Sequence, residues 1–335
     1  MTASFILPRR SVLLGGLSLL ALAGCGKESP QNEKTAGGGA DAAASTLRIG
    51  TYRGQYQEFF KEAGVDQFPY GVSYSYFAGG NLIAEAINGG SIDIGSMSEI
   101  PPIFIASASA PMRLVATIKG EVTSQVVLVP ENSAIRTVAE LKGKRIGYVR
   151  ATTSHYILVR LLQEAGIGWG DITPVALSPQ DGLAAFGRGD LDAWIVYGVQ
   201  GSQARLTYKA RVLTDGRGRL SGNYVFAAST TALADEGKRK AIADFLHRVT
   251  RAYQWADQNP DAWAARLSKE TGVAAEIFLL QHRERDRPYE LAKVEPEAIQ
   301  SQQQVADAFA DAGLIPAKID VAKLWDDRLN GLLAG

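Results

Sequence analysis

The chain has 335 residues, with 35 Lys and Arg against 35 Asp and Glu and a formal net charge of zero. That balance excludes the strongly basic domain that nucleic-acid binding favours. A single cysteine excludes a disulfide and a cysteine metal site, and the three histidines form no metal-ligating tract, so no cofactor and no metal is expected.

Arg9 and Arg10 precede an uncharged apolar run from Val12 to Ala23. The run is too short to span a membrane and has the length of a secretion-signal core. It closes on Leu22-Ala23-Gly24-Cys25, the small-residue-plus-cysteine pattern of a bacterial lipoprotein signal, which makes Cys25 the expected lipidation site. The adjacent arginines leave Sec and twin-arginine export both open. Removal of residues 1–24 would leave 33 basic against 35 acidic residues, a net charge of −2. Residues 25–46 are small and polar and read as a flexible tether, roughly 25 Å from end to end for about 21 residues. The expected location is the periplasm or cell envelope, held at a membrane only through the lipid; which membrane is left open.

The remainder is long enough for two lobes. "LRIGTY" (47–52) resembles "KRIGYV" (144–149), and "AINGGSIDIG" (86–95) resembles "AFGRGDLDAW" (185–194). Arg48 and Arg145 lie 97 positions apart, Asp93 and Asp192 lie 99 apart, so one α/β pattern is used twice. In the second copy, KRIGYV predicts a strand. "SHYILVRLLQEAG" has apolar residues at 157, 158, 161, 162 and 165 and a glycine stop, which predicts a helix. A strand over 172–177, a short helix over "GLAAFGRG" and a buried strand "LDAWIVY" follow, and this alternation implies parallel sheets with helices on both faces. The β-rich runs 124–130 and 222–230 fall outside the repeat and read as two crossings between lobes. After 230, Ile242, Phe245, Leu246, Val249, Tyr253 and Ala256 make a helical stripe that Asn259-Pro260 stops, and helices are expected to the end.

Ligands collect at strand C-termini in such sheets. The loop "RATTSH" (150–155) lies there. The free amides and dipole of a helix start favour an anion, and hydroxyls of Thr152, Thr153 and Ser154 would add donors without charge. The first lobe offers "RGQYQ" (53–57), "FAGGN" (77–81) and "SMSEIP" (96–101) at matching places, with Gly79 and Gly80 able to bring backbone amides close. The cleft is expected to be lined by hydroxyls, amides and aromatics, and hardly by fixed charge. His247 and His282 fall in helices expected at the surface.

"AGGNLIAEAINGGSIDIGSMSEIPPI", "SAIRTVAELKGKRIGY", "TTSHYILVRLLQEAGI" and "LAAFGRGDLDAWIVY" together resemble the periplasmic solute-binding proteins of ABC importers for aliphatic sulfonates, whose relatives bind taurine, nitrate and sulfate esters. The resemblance runs from about 47 to 270. It implies a bilobed α/β fold of the type II periplasmic-binding-protein class, with lobe one at 47–126 and 224–335, lobe two at 127–223 and a ligand cleft between them. It implies binding positions at Gln55, Gly79, Gly80, Asn81, Ser98, Glu99, Thr152, Thr153, Ser154 and His155. It also implies a small anionic organosulfur ligand, permease and ATPase partners, and a monomer. After "AWIVY" the family pattern of an acid, a proline and an aromatic is replaced by Gly198-Val199-Gln200, which suggests an altered tail pocket with Tyr197, Asn223 and Tyr224 as lining candidates. Hydroxyls and amides serve sulfonate, sulfate ester, nitrate and carboxylate alike. A nitrate or other small-anion receptor, a sensory lipoprotein and a desulfinase-like enzyme therefore remain as alternatives, the last without the cysteine nucleophile such an enzyme uses.

Overall fold

The structure, a computed structural model, describes residues 46–106 and 110–333. The lipidation motif and most of the tether lie outside them. In chain order the elements are β1 (Leu47–Thr51), β2 (Val72–Tyr76), α1 (Gly80–Asn88), β3 (Ile94–Ser98), α2 (Pro101–Ile105), β4 (Met112–Lys119), β5 (Val126–Val129), β6 (Arg145–Tyr148), α3 (Thr153–Glu164), β7 (Thr173–Ala176), α4 (Pro179–Gly187), β8 (Ala193–Val196), α5 (Val199–Thr207) and β9 (Arg211–Asp215). There follow β10 (Asn223–Ser229), α6 (Thr230–Ala234), α7 (Glu236–Gln258), α8 (Pro260–Thr271), α9 (Ala275–Glu284), β11 (Glu290–Ala292), α10 (Pro296–Asp311) and α11 (Asn330–Leu333).

Two sheets form. One has the order β11-β4-β10-β3-β1-β2, the other β7-β6-β8-β5-β9. β1 runs parallel to β2 and β3, and β6 runs parallel to β7 and β8. The pseudo-repeat thus corresponds to two copies of the same three-strand parallel unit.

The expectation of purely parallel sheets needs correction. β10 lies antiparallel between β3 and β4, and β5 lies antiparallel between β8 and β9. These are the runs 222–230 and 124–130, and they are strands of the sheets, not the passages between them. The physical reason is burial: all four residues of β5 and six of the seven of β10 are buried, so their amides need sheet partners. The passages are the segments just ahead of each, 120–125 and 216–222. They are joined by the Gly120 amide donating to the Gly222 carbonyl at 2.8 Å. A second difference is β11, a short edge strand on β4 that interrupts the expected all-helical C-terminal region.

The stripe on α7 is buried as its spacing requires, apart from a half-buried Tyr253, and packs on the first sheet. Ile157, Leu158, Leu161 and Leu162 of α3 are buried against the second sheet, each contributing about 1.5–3 kcal/mol by transfer from water.

The two repeat pairs do the same work in both sheets. Arg48 donates to Asp93 from its amide, Nε and Nη2 at 2.9, 3.2 and 2.8 Å. Arg145 donates to Asp192 from the same three atoms at 2.7, 3.2 and 3.0 Å. Asp93 is 1% exposed and takes a second cation, Lys238, at 3.0 Å, whereas Asp192 is 32% exposed. Burial pushes the Asp93 carboxyl up, but hydrogen bonds from Arg48 and Lys238 outweigh it and hold it below the usual range. Replacement of Asp93 by Ala should therefore cost about 3 kcal/mol, as for one partner of a buried pair. Asp192→Ala should cost about 1 kcal/mol or less, as for a partly solvated pair. Urea unfolding midpoints at unchanged slope check this. The depressed Asp93 value means its stabilisation is present above the unfolded carboxylate pKa and is lost as pH falls through the lower native one. Asp93→Ala should flatten the acid limb of the stability profile.

Candidate functional site

Six strands end at one place. The last residue of β3 (Ser98) and the residues after β1 (Tyr52, Gln55), β2 (Phe77, Gly80), β6 (Thr152, Thr153), β7 (Ser178) and β8 (Tyr197, Gly198) all line a single cavity of about 600 Å³. This is where parallel α/β units gather ligands. Three helices with starts at this cavity, α1, α3 and α5, have no side-chain cap on their N-terminal amides. Uncapped first-turn amides and the positive dipole end suit an oxyanion. α4 differs, because its N-cap Ser178 already accepts from the Asp181 amide at 3.1 Å.

Of the positions expected from sequence, Gln55, Gly80, Ser98, Thr152, Thr153, Tyr197, Gly198 and Tyr224 line the cavity. Gly79, Asn81, Glu99, Ser154, His155 and Asn223 do not. Gly79 is the N-cap of α1, and Asn81 lies half-buried in its first turn. The Ser154 hydroxyl donates to the Ile195 carbonyl at 2.6 Å and accepts from the Val149 amide at 3.0 Å. It ties α3 to the sheet and has no proton left for a ligand. Ring packing of His155 with Tyr148 at 4.9 Å, Phe309 at 5.0 Å, Trp169 at 5.4 Å and Phe104 at 5.8 Å holds it away from the cavity. Burial, with Arg150 adding to it, lowers the imidazole to about 4, so it is neutral near pH 7.

Glu99 and Asn223 belong to a polar knot beside the second crossing. Glu99 accepts from Ser221 at 2.6 Å and from Ser301 at 3.1 Å, while Asn223 accepts from Lys119 at 2.8 Å. Burial pushes Glu99 up to about 7 against the pull of Ser221 and Ser301.

The hydroxyls that do reach the cavity are already directed. Thr152 donates to the Val149 carbonyl at 2.7 Å and Thr153 to Gln125 Oε1 at 2.5 Å. Gln125 Nε2 in turn reaches the Tyr224 hydroxyl at 3.2 Å, which donates to the Glu121 carbonyl at 2.9 Å. This chain links α3 of the second sheet to β10 of the first through the crossing at 120–125. Gln55 accepts from Thr51 and Ser96 at 3.3 and 3.4 Å, which leaves its amide nitrogen as a donor.

Seven tyrosines line the cavity: Tyr52, Tyr56, Tyr76, Tyr197, Tyr224, Tyr253 and Tyr289. Burial raises Tyr56 and Tyr197 to about 12 and Tyr52, Tyr224 and Tyr289 well above their ordinary value. Their hydroxyls stay protonated at neutral pH and act as uncharged donors.

Fixed charge is present after all. Arg53 stands at the mouth over the Tyr76 ring at 5.2 Å, Glu121 is buried in the wall, and Arg285 comes from the chain just after α9. His282, expected on a surface helix, is part of the wall. Sequence reasoning missed Gln125, Tyr253, Gln281, His282, Arg285 and Tyr289. The residues after 270 carry no repeat and no motif, so only the chain path brings them here. Among the described residues no group of three or more His, Cys, Asp or Glu converges as a metal would need.

Gly80 brings the backbone at the start of α1 close to Met97 and Tyr52. A Cβ there would lie 2.8 Å from Met97 Cβ and 2.9 Å from the Tyr52 hydroxyl. Gly80→Ala should displace Tyr52 and weaken ligand binding by about 1–3 kcal/mol, the usual cost of overpacking, as isothermal titration will measure. Glu99→Gln should change stability in a pH-dependent way. The wild-type carboxyl is raised in the fold, so its favourable term is complete below the unfolded value near 4.5 and is lost as pH rises to about 7. The glutamine variant should lack that decline in thermal unfolding run from pH 4.5 to 7.5.

Residues 46–263 match the family model described as NMT1/THI5 like. A relative from Escherichia coli (strain K12), named as an aliphatic sulfonates-binding protein, is 33% identical over 294 residues, which are 85% of this chain and 90% of its own length. The solved structure of the alkanesulfonate-binding protein of Xanthomonas axonopodis pv. citri, bound to MOPS, is similar with a TM-score of 0.78 and 29% identity, covering 85% of this chain and 99% of that one. A desulfurization enzyme at 16% identity and a TM-score of 0.57, covering 86% of this chain and 98% of its own, shares the fold alone. The chain belongs to the NMT1/THI5-like family, within its aliphatic sulfonate-binding branch of periplasmic solute-binding proteins.

Proposed function

We propose that this protein is the substrate-binding component of an ABC importer, capturing an organosulfonate between lobe one (47–126 and 224–335) and lobe two (127–223) and delivering it to a permease and its ATPase. The observation that carries this is the convergence of three uncapped helix starts, from both sheets, on one cavity. A sulfonate is ionised at every physiological pH and offers three acceptor oxygens, so it needs donors and dipoles more than a titrating partner. Gln55, Gly80, Ser98, Thr152, Thr153, Tyr197, Gly198 and Tyr224 are the contacts we assign. Binding without turnover is the reading supported by a wall of protonated tyrosines and hydroxyls already directed at protein acceptors. Neutral donors of this kind give micromolar to nanomolar affinity, about −8 to −12 kcal/mol, once ordering costs are met.

The Leu22-Ala23-Gly24-Cys25 signal leads us to propose a lipid anchor at Cys25 and a periplasmic receptor tethered by residues 26–46. Cys25→Ala should release the protein from the membrane fraction on cell fractionation. Retention of that variant in membranes would remove the anchor.

Thermal unfolding of the purified protein with alkane and aryl sulfonates, taurine, sulfate esters, nitrate and bicarbonate tests the receptor. A ligand at 100 times its dissociation constant adds about 2.7 kcal/mol, a shift of several degrees. Shifts confined to sulfonates support the reading. Silence from all of them, with a response to nitrate or a carboxylate, leaves the cavity as an anion site of another class.

A further inference from the structure

Two helices that contribute to the cavity wall also grip each other. Ala204 places α5 in the core of the second sheet, and Phe278 places α9 in the core of the first. Arg205 of α5 donates to Glu284 of α9 through two parallel hydrogen bonds, Nη1 to Oε2 at 2.6 Å and Nη2 to Oε1 at 2.9 Å. The Arg205 guanidinium holds the Glu284 carboxyl below its usual range, so the pair is ionised at neutral pH. Among the described residues it is the one ion pair that joins 127–223 to the rest of the chain. Neither residue lines the cavity.

The two flanks of the molecule differ in kind. On one, Tyr156 and Val159 of α3 are buried with Ile103 and Phe309 in a shared apolar core, which water would enter only at high cost. On the other, a crevice of about 10 Å³ separates α5 from α9, lined by Gly201, Ser202, Arg205, Gln281 and Glu284 with part of the crossing at 123–126. This contact is polar and incompletely filled, the character of surfaces that move against each other. The pair itself is partly solvated, with Arg205 25% and Glu284 41% exposed. Both groups can therefore return to water without the penalty that a buried pair incurs.

Each helix carries a wall and a grip. The uncapped start of α5 and its Val199 and Gln200 face the cavity, and Arg205 lies roughly 9 Å further along the same rigid rod. α9 gives Phe278 to the cavity and Glu284 to the pair. A movement that draws the amides of α5 toward a bound anion carries Arg205 with it.

We propose that Arg205 and Glu284 are positioning residues for binding, an interlobe clasp that is made as the lobes close and that raises affinity without touching the ligand. This rests on the reading that the two lobes close on a sulfonate. A contact made only in the closed form adds its free energy to the affinity, because it biases the same equilibrium as the ligand.

Calorimetric titration with butanesulfonate and benzenesulfonate, at about 0.15 M salt, tests the clasp in the native protein, Arg205→Glu, Glu284→Arg and the double reversal. Each single reversal should weaken binding about tenfold, from loss of the pair and from the like charges it opposes. The double reversal should bring the dissociation constant back to within about twofold of native, as a direct pairwise contact requires. Long-range attraction for an anion has another signature: Glu284→Arg would tighten binding and Arg205→Glu would weaken it. Opposite shifts in the two single variants, or no recovery in the double reversal, overturn the clasp. Unfolding temperatures without ligand identify a permanent contact. Single reversals that lower stability and leave the dissociation constants unchanged also overturn it, with the receptor reading intact. If neither sulfonate binds the native protein, the receptor reading falls and the clasp with it.

Discussion

The Arg–Asp clamp is the contact on which the rest of the molecule hangs. Arg48 with Asp93, and Arg145 with Asp192, pin the start of the first strand to the start of the third in each parallel unit. With the amino ends held, the carboxyl ends of six strands deliver their loops to one crevice. Charge-assisted, multiply hydrogen-bonded pairs are strong enough to set such a register. The two clamps differ in burial, and the buried one also anchors α7 through Lys238, so the first sheet and the C-terminal helices share one electrostatic centre.

The crevice is built chiefly from dipoles and neutral donors. Helix amides and protonated tyrosines stand ready without the desolvation penalty that buried ions incur. In the deeper wall Arg285 is paired with Asp257, and Glu121 is held by hydrogen bonds from the Thr123 hydroxyl and the Ser124 amide. Such a wall favours a ligand that brings a permanent charge to one end only.

The two sheets meet at more than the crossings. Tyr156 and Val159 of α3 join a core shared with α1, α2 and α10 of the other lobe. On the opposite flank Arg205 of α5 grips Glu284 of α9 with two hydrogen bonds at 2.6 and 2.9 Å. The Thr153–Gln125–Tyr224 chain crosses between them. Ligand, crossing and lobe contacts therefore share residues, and a ligand that orders Thr153 or Gly198 acts on the same surfaces that hold the lobes together. A ligand shifts such an equilibrium only by its differential contacts with the two states, and these residues are where the difference arises.

Much was decided by local patterning. The repeat of strand and helix, the stop at Asn259-Pro260 and the loops of the crevice follow from hydrophobic period and glycine position, which are local properties of the chain. Gly80, Thr152 and Thr153 were legible as wall residues because a strand end followed by a helix start has one chemical meaning wherever it occurs. Ser154 was not separable from them, since a hydroxyl one residue on turns about 100° around the helix and meets the sheet instead. The antiparallel insertion of β5 and β10, the knot around Glu99 and the wall formed by Gln281 and His282 were decided by tertiary structure alone. Each joins residues far apart in the chain, such as Glu99 with Ser301 and Gly198 with Gln281, and no period or spacing in a sequence records such contacts.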